Sequence, residues 1–260
     1  WSAAPLDRYR SPEPVLPYDF TRGCPWGRCA FCDYGLADAG TAPYRERPLD
    51  RVLEHLEQMR RRHGSRLVYL SEDSVRPARL RELAGELRRA GSLLRWSTDV
   101  RPERLLGDRG VAEELREGGA LSFSFGVESG SARLLRLMRK GTDPDAIRSA
   151  IRATAEASIA AEAMVFTDFP TETGEEALET LRLLEHTLLP QAQATRDASQ
   201  AALSSGKVDF DSVIEAERQL IDIRTQRLKT ELDTRLALTE IKKLTGDLKD
   251  RKSTRLNSSH

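Results

Sequence analysis

GCPWGRCAFCDYG, residues 23–35, contains all three cysteines of this 260-residue chain. An odd number of cysteines cannot form a fully paired disulfide framework, and the tight clustering of Cys24, Cys29 and Cys32 favours a metal site. Three thiolates on one loop can bind an iron–sulfur cluster and leave one iron without a protein ligand. Structural zinc and reactive thiols remain alternatives. Zinc prefers four ligands, however, and the four histidines lie on or beside predicted helices or in the tail.

The overall composition argues against several classes of protein. The 41 Lys and Arg residues balance 41 Asp and Glu residues, so there is no broad electrostatic case for a nucleic-acid partner. No run of about 18 apolar residues is present, which argues against a membrane-spanning helix. The chain opens WSAAPLDRYR, without an initiator Met or the pattern of a signal peptide, and we interpret it as a piece of a longer protein.

Composition changes near residue 188. Lys140 is the only lysine before this point, whereas six lysines follow it. The later part has no Cys or Trp, and its only aromatic residue is Phe210. Such a shift indicates either a domain boundary or two sequences joined artificially.

The first part alternates short apolar runs with amphipathic helical stretches. Predicted strands cover residues 17–21, 67–70, 94–98, 121–126 and 163–166. Predicted helices cover residues 48–62, 77–90, 102–117, 130–138, 144–158 and 174–187. Asp143 before Pro144 predicts one helix start, and the capping box Thr173/Glu176 predicts another. This alternation predicts an α/β fold with a parallel sheet, whose chemistry collects at the carboxyl ends of the strands. The cysteines follow the first of these strands.

The later part is predicted to be helical. One helix covers residues 189–203, and a second runs from a capping box at Ser212 to about Leu244. An apolar stripe along the second helix predicts an amphipathic or coiled-coil face. Its members are Leu220, Ile221, Leu228, Leu232 and Leu236. Residues 249–260 are polar and patternless, and we expect them to be disordered.

Four motifs, in order along the chain, resemble those of radical S-adenosylmethionine (radical SAM) enzymes. The cysteine loop resembles their cluster-binding loop, and YLSEDSV (69–75) stands where the family places polar groups. FSFGVESGSARLLRLMRKGTD (123–143) resembles the fourth-strand segment of the branch that includes methylthiotransferases and cobalamin-dependent members. MVFTDFPTETGEEALETLRLL (164–184) resembles the fifth strand and the turn after it. The resemblance covers about residues 15–187 and implies a partial (β/α) TIM-like barrel that stops after its fifth strand and helix.

The resemblance implies a cofactor role for residues of the cysteine loop. Cys24, Cys29 and Cys32 would hold a [4Fe–4S] cluster. Phe31 would pack near the adenine of S-adenosylmethionine, or alternatively would belong to the core.

Residues near the ends of later strands are the other implied cofactor ligands. Glu72 and Asp73 would bind the methionine amino group, and Glu128 would take the ribose hydroxyls. Phe166 would lie near the adenine. Ser97, Asp99 and Arg101 end the third predicted strand and would line the site, with an exposed ion pair at this position as the simpler alternative. The simpler alternatives are solvated loop acids for Glu72 and Asp73, and a carboxylate favoured by a helix N-terminus for Glu128.

The function implied by the resemblance is radical chemistry on an unknown substrate. A reduced cluster would cleave S-adenosylmethionine, and the resulting 5′-deoxyadenosyl radical would abstract a substrate hydrogen. The implied partner is an electron donor such as flavodoxin or ferredoxin, and the implied location is the cytoplasm. No nucleic acid is indicated, and no membrane for residues 1–187. Cobalamin use stays open, because a binding domain for it would lie upstream of Trp1.

The tail resembles a different family. GKVDFDSVIEAERQL, residues 206–220, is similar to the C-terminal helical hairpin of TolC-type outer-membrane efflux proteins; a generic amphipathic helix pair is the alternative. We therefore interpret the chain as a chimera with parts 1–187, 188–248 and 249–260, the last resembling translated adapter sequence. Truncation would leave an unpaired sheet edge, and the activity of this exact polypeptide stays open. The functional alternatives are a zinc-binding structural module and a fragment of an efflux channel.

Overall fold

The centre of the fold is a parallel β-sheet. A computed structural model describes residues 13–36, 43–204 and short pieces between 213 and 239. The sheet has five strands in the order β1-β4-β5-β6-β7, and every neighbouring pair is parallel. These strands are β1 (Leu16–Tyr18), β4 (Leu67–Leu70), β5 (Arg95–Val100), β6 (Ala120–Glu128) and β7 (Ala160–Val165). The predicted α/β fold with a parallel sheet is therefore confirmed.

Helices connect successive strands of the sheet. They are α1 (Asp33–Leu36), α2 (Leu49–His63), α3 (Pro77–Arg89), α4 (Arg109–Glu117), α5 (Ala132–Leu137), α6 (Pro144–Glu156), α7 (Gly174–Leu183) and α8 (Leu189–Ser204). The predicted caps are confirmed, because Asp143 accepts from the Ala146 amide and Thr173 and Glu176 form a reciprocal capping box. Satisfied end groups of this kind define where these two helices begin.

Two helix predictions were wrong in extent. The helix predicted over 102–117 is divided at Asp108, whose side chain caps α4 after a separate 3-10 turn, Arg104–Gly107. Gly107 lies so close to α6 that an added Cβ would be 2.9 Å from Ser149 Cβ. The helix predicted over 174–187 passes through a π turn, Leu184–Leu188, and continues as α8.

A short antiparallel pair was not predicted. Strand β2 (Thr21–Arg22) pairs with β3 (Arg45–Glu46), and the cysteine loop lies between them in sequence. Strands of two residues are too short to produce a recognisable alternation of apolar and polar side chains. The pair ties the chain segments before and after the cysteine loop to each other.

The two faces of the sheet differ in chemistry. One face carries large buried side chains, among them Trp96, Phe123 and Phe125, which pack in the main core with the helices. The other face carries polar residues, because successive side chains of a strand point to opposite sides. These polar residues are Ser97, Asp99, Ser122, Ser124 and Glu162, none of them fully buried. The polar face therefore remains available to other molecules.

The tail is helical where it is described, and part of it packs on the core. Ala192 and Leu220 belong to the main apolar cluster, and Leu220 is fully buried. The rest of the predicted apolar stripe is more than half exposed: Ile221, Leu228, Leu232 and Leu236. The capping box at Ser212 and the segment 249–260 lie outside the described residues, and the boundary after residue 187 stays a prediction. Across the described residues, no helix has both the length and the apolar character needed to cross a membrane.

Candidate cofactor-binding site

A cavity of about 440 Å³ opens at the carboxyl ends of the strands. All three cysteines line it, so the cysteine loop lies over the end of the sheet, where the sequence places it. Residues that follow β4 and β5 and residues at the end of β6 complete the wall. They include Glu72, Asp73, Arg101, Gly126 and Glu128. The topology therefore brings residues that are distant in sequence to one site.

The cysteine loop is held by its own backbone and by the turn after α5. Gly27 has φ +56°, and its amide donates to Cys24 Sγ at 3.4 Å. The Ala30 amide donates to the Met138 carbonyl at 2.8 Å. Cys29 is buried, and this burial raises the pKa of its thiol against the lowering effect of nearby Lys140.

The cysteine arrangement supplies three thiols at one cavity, a donor set that fits an iron–sulfur cluster. All three thiols are free and share one cavity. Within the described ranges, no three His, Cys, Asp or Glu side chains are close enough together to hold one metal ion. In a [4Fe–4S] cluster each thiolate binds a different iron, so the sulfurs lie further apart than around one zinc. The amide that donates to Cys24 is the kind of contact that tunes such clusters.

Glu72 has a buried carboxylate oxygen without a hydrogen-bond partner in the cavity wall. Its Oε1 accepts from the amides of Phe20 at 2.5 Å and Thr21 at 3.3 Å, whereas its Oε2 is buried without a partner. Burial raises the pKa of Glu72 to about 7, although the two amides oppose the shift. Asp73 is different, because it accepts from the Tyr34 hydroxyl at 2.5 Å. Glu72 is thus the acid with an acceptor to spare.

Glu128 forms an ion pair inside the cavity. Its Oε1 lies 2.5 Å from Lys140 Nζ, and both side chains are nearly buried. An added Cβ at Gly126 would lie 2.7 Å from that ammonium, so glycine there leaves room for the pair. Glu128 also has φ +63°, a costly conformation for a residue with a side chain. The neighbouring Ser129–Gly130 segment is held by Thr180 of α7, which supports this conformation.

The aromatic candidates form one group at the edge of the cavity. Phe31 lines the cavity, and its ring lies 5.5 Å from that of Phe166 in an edge-on arrangement. Phe166 in turn lies 6.2 Å from Phe169 and is not itself part of the cavity wall. Ser97 is also absent from the wall, whereas Asp99, two residues further along β5, is present. The structure thus brings together nine of the eleven predicted site residues: Cys24, Cys29, Phe31, Cys32, Glu72, Asp73, Asp99, Arg101 and Glu128.

The sequence pattern of the Radical SAM superfamily matches residues 18–184, the segment that contains the sheet and its cavity. The chain belongs to the radical SAM superfamily. Membership makes a [4Fe–4S] cluster and S-adenosylmethionine the cofactors of this fold, which agrees with the three free thiols on one wall.

Several known proteins are similar to this radical SAM chain. An uncharacterized methyltransferase of Pyrococcus horikoshii is 26% identical over 194 residues, which are 74% of this chain and 41% of the relative. The tRNA-2-methylthio-N(6)-dimethylallyladenosine synthase of Pseudothermotoga lettingae is 30% identical over 174 residues, 59% of this chain and 38% of the relative. This chain therefore spans about two-fifths of the length of these curated relatives.

A solved structure shares the same fold. The radical S-adenosylmethionine methyltransferase TsrM from Kitasatospora setae, with cobalamin and a [4Fe–4S] cluster bound, superposes with a TM-score of 0.58 at 19% identity. The superposition covers 67% of this chain and 35% of that one. The shared fold agrees with the partial (β/α) TIM-like barrel that the resemblance implies.

Some residues of the radical SAM cavity were missed by sequence reasoning. Trp26, Tyr34, Tyr69 and Lys140 all line it. Lys140 carried a usable signal, since it is the only lysine of an arginine-rich region and lies inside one of the recognised motifs. The other three carried none, because exposed tyrosine and tryptophan are common on surfaces.

Proposed function

We propose that this chain forms the site at which a radical SAM enzyme cleaves S-adenosylmethionine reductively, so that the resulting 5′-deoxyadenosyl radical takes a hydrogen atom from a substrate. One observation carries the proposal. A single cavity contains three free thiols, the unpartnered Oε2 of Glu72, and the Glu128–Lys140 ion pair. Thiolates for a cluster and polar groups for a zwitterionic cofactor are thus available together.

The cysteines would hold the cluster. Cys24, Cys29 and Cys32 supply three thiolates for four irons, so one iron remains for the cofactor. Burial raises the pKa of the Cys29 thiol, so assembly must remove a proton from that residue. The ammonium of Lys140 favours this deprotonation, because it is a positive charge near the sulfur.

The polar residues would orient S-adenosylmethionine. Glu72 Oε2 is suited to accept from the methionine amino group, since a buried acceptor without a partner is costly until a donor arrives. Glu128 is suited to the ribose hydroxyls. Lys140 has three N–H donors, and its contact with Glu128 leaves others for the methionine carboxylate.

The aromatic group would exclude water from the reacting carbon. Phe31 and Phe166 pack against each other beside the cysteines, and Met164 continues the apolar wall. Exclusion of water prevents loss of a reactive intermediate to side reactions. Phe31 would also contact the adenine, while Phe166 would hold the Phe31 ring in place through their edge-on contact.

The polar face of the sheet is where we place the substrate. Ser124 donates to Glu162 at 2.9 Å on this face, and Tyr69 lies beside Asp99. Burial raises the pKa of Asp99 above its usual range and raises that of Tyr69 to about 12. The curated relatives differ in the group they transfer or insert, so the proposal stops at hydrogen abstraction.

The chemistry also needs an electron donor. We assign this role to a small redox protein such as a flavodoxin or ferredoxin, because reductive cleavage of S-adenosylmethionine consumes an electron that the cofactor itself cannot supply. The cytoplasm, which keeps thiols reduced, is the matching compartment.

The test is anaerobic reconstitution of the full chain with iron and sulfide, followed by electron paramagnetic resonance with and without S-adenosylmethionine. We expect a [4Fe–4S] signal that shifts when the cofactor is added, and release of 5′-deoxyadenosine after reduction with dithionite. Cys29→Ala should lose the signal. Asp33→Asn changes an exposed residue directly after Cys32, and this variant should keep the signal.

Two results would contradict the proposal. One is stoichiometric zinc in a folded protein that takes up no iron. The other is a cluster whose spectrum is unchanged by S-adenosylmethionine. Adding cobalamin to the same preparation tests whether this chain binds that cofactor too.

A further inference from the structure

Trp26 connects the cysteine loop to the turn after α5. Its indole N–H donates to the Arg139 carbonyl at 2.7 Å, a contact between residues 113 positions apart. The ring also occupies the space beside Gly141, where an added Cβ would lie 2.2 Å from Trp26 Cζ2. Gly141 has φ +72°, so both its conformation and the ring beside it require glycine.

Arg101 holds the same two elements from the end of β5. Its guanidinium carbon lies 4.4 Å from the centre of the Trp26 ring, within the range of a cation–π contact. It also donates to the Gly141 carbonyl at 2.8 Å and pairs with Glu103 at 2.8 Å. The Arg101 side chain is only 12% exposed, so it is a fixed part of the site.

These contacts surround Lys140. A second hydrogen bond joins the cysteine loop to this turn, since the Ala30 amide donates to the Met138 carbonyl. The Lys140 ammonium points back over the loop, 5.8 Å from the Phe31 ring centre. The position of the ammonium relative to the cysteines therefore depends on how the loop and the turn are joined.

We propose that Trp26, Arg101 and Gly141 form a clamp that positions the cysteine loop against the turn carrying Lys140, so that the cluster and the cofactor carboxylate are held at a fixed separation. Trp26 and Arg101 are positioning residues in this role. The inference rests on the proposed function for the identity of the bound group, while the clamp itself consists of contacts within the chain.

The first test measures the clamp in the protein without a cluster. We expect Trp26→Ala to accelerate hydrogen exchange of the Ala30 amide, because the loop would no longer be held at its second contact. Gly141→Ala should accelerate it strongly in the wild-type background and clearly less in the Trp26→Ala background, where the ring that meets the new Cβ is absent and only the strain of the positive φ remains. Independent, additive effects of the two substitutions would overturn the clamp.

The second test measures what the clamp does for the cluster. Trp26→Ala should lose iron to a chelator about tenfold faster than wild type, the effect expected from losing one hydrogen bond and one cation–π contact. Trp26→Phe, which keeps a ring against Arg101 and Gly141, should show a smaller acceleration. In both variants the resonance shift caused by S-adenosylmethionine should be smaller, because Lys140 is no longer held at its position.

Trp96 provides a matched control. Its indole also donates to a backbone carbonyl, that of Gly118 at 2.9 Å, but it is buried in the core away from the cavity. Trp96→Phe should lower the unfolding temperature and leave iron loss from the folded protein unchanged. The positioning role alone would be overturned if all variants lost iron at the wild-type rate. It would also be overturned if Trp26→Phe and Trp96→Phe lost iron equally fast. A wild-type protein that takes up no cluster would overturn the proposed function and this role together.

Discussion

Glu72 illustrates how a surrounding fold changes the behaviour of one ordinary side chain. In sequence it is one of two adjacent acids that follow a strand. In the structure it is 6% exposed, and burial raises its pKa to about 7, whereas Asp73 keeps a tyrosine partner. A carboxyl that titrates near neutral pH in a cavity is characteristic of a functional site.

Glu72→Gln should weaken S-adenosylmethionine binding by about tenfold or more, since a charge-assisted hydrogen bond to the amino group is lost. Wild-type affinity should rise as the pH passes upward through about 7, because the carboxylate is the better acceptor, and the variant should lack this dependence. Calorimetric titration of the reconstituted protein measures both. Asp73→Asn is the control, and an equal loss in that variant would contradict the assignment.

Glu72→Gln should also change how the stability of the cofactor-free protein depends on pH. The pKa of Glu72 is raised on folding from about 4.5 to about 7, so the folded state loses stability as the pH rises through this window. The unfolding temperature of wild type should therefore fall relative to that of Glu72→Gln across the window. A constant difference between the two proteins over this range would show that Glu72 does not titrate as described.

At the scale of elements, the start of α7 supports the site from outside the cavity. Glu176 closes the capping box with Thr173 and also accepts from Ser131 and Arg133, which flank the start of α5. These contacts hold the segment that follows Glu128. The Arg133 guanidinium holds the pKa of Glu176 well below its usual range.

Glu176→Gln should destabilise the protein by about 1–2 kcal/mol, the magnitude of a lost cap and a lost charged hydrogen bond. Because the pKa of Glu176 is depressed on folding, its contribution is present above the ordinary carboxyl pKa and is lost as the pH falls below it. The difference in unfolding temperature between wild type and Glu176→Gln should therefore become smaller as the pH is lowered. Glu175→Gln, next to it but exposed in a pair with Arg182, should have little effect at any pH.

At the scale of the whole molecule, the relation between the sheet domain and the tail decides how the chain is divided. The helical path continues from α7 through the π turn into α8 without interruption at residue 187. Ala192 and Leu220 are buried in the main core, and Arg196 pairs with Glu217 at 3.4 Å. The described pieces of the tail therefore contact the fold, although most of the apolar stripe faces outward.

Leu220→Ala should lower the free energy of unfolding by about 2–5 kcal/mol, since it removes a fully buried side chain. Ile221→Ala changes a neighbouring apolar residue that is 56% exposed, and it should have almost no effect. Urea denaturation followed by circular dichroism measures both. Equal, negligible effects would favour the interpretation of residues 188–248 as a foreign hairpin that does not pack on residues 1–187.

The sequence by itself determined the class of fold and the centre of the site. Alternating apolar runs and helix caps are local signals, so the five parallel strands and the starts at Asp143 and Thr173 could be predicted. The spacing of three cysteines is also local, and motif order identified the superfamily. The division at Asp108 was missed although its signal is local: the Asp108 side chain accepts from the Val111 amide and starts α4 there.

The tertiary structure alone decided which polar residues face the cavity and with what charge. Ser97 and Asp99 lie on the same side of β5, yet only Asp99 reaches the wall, because it is two residues closer to the carboxyl end of the strand, where the loops form the cavity. The burial of Glu72, the pairing of Lys140 with Glu128 and the insertion of Trp26 beside Gly141 each join segments that are separated in sequence. Contacts of this kind leave no periodic pattern in the chain, since they arise only when the loops meet at one end of the sheet.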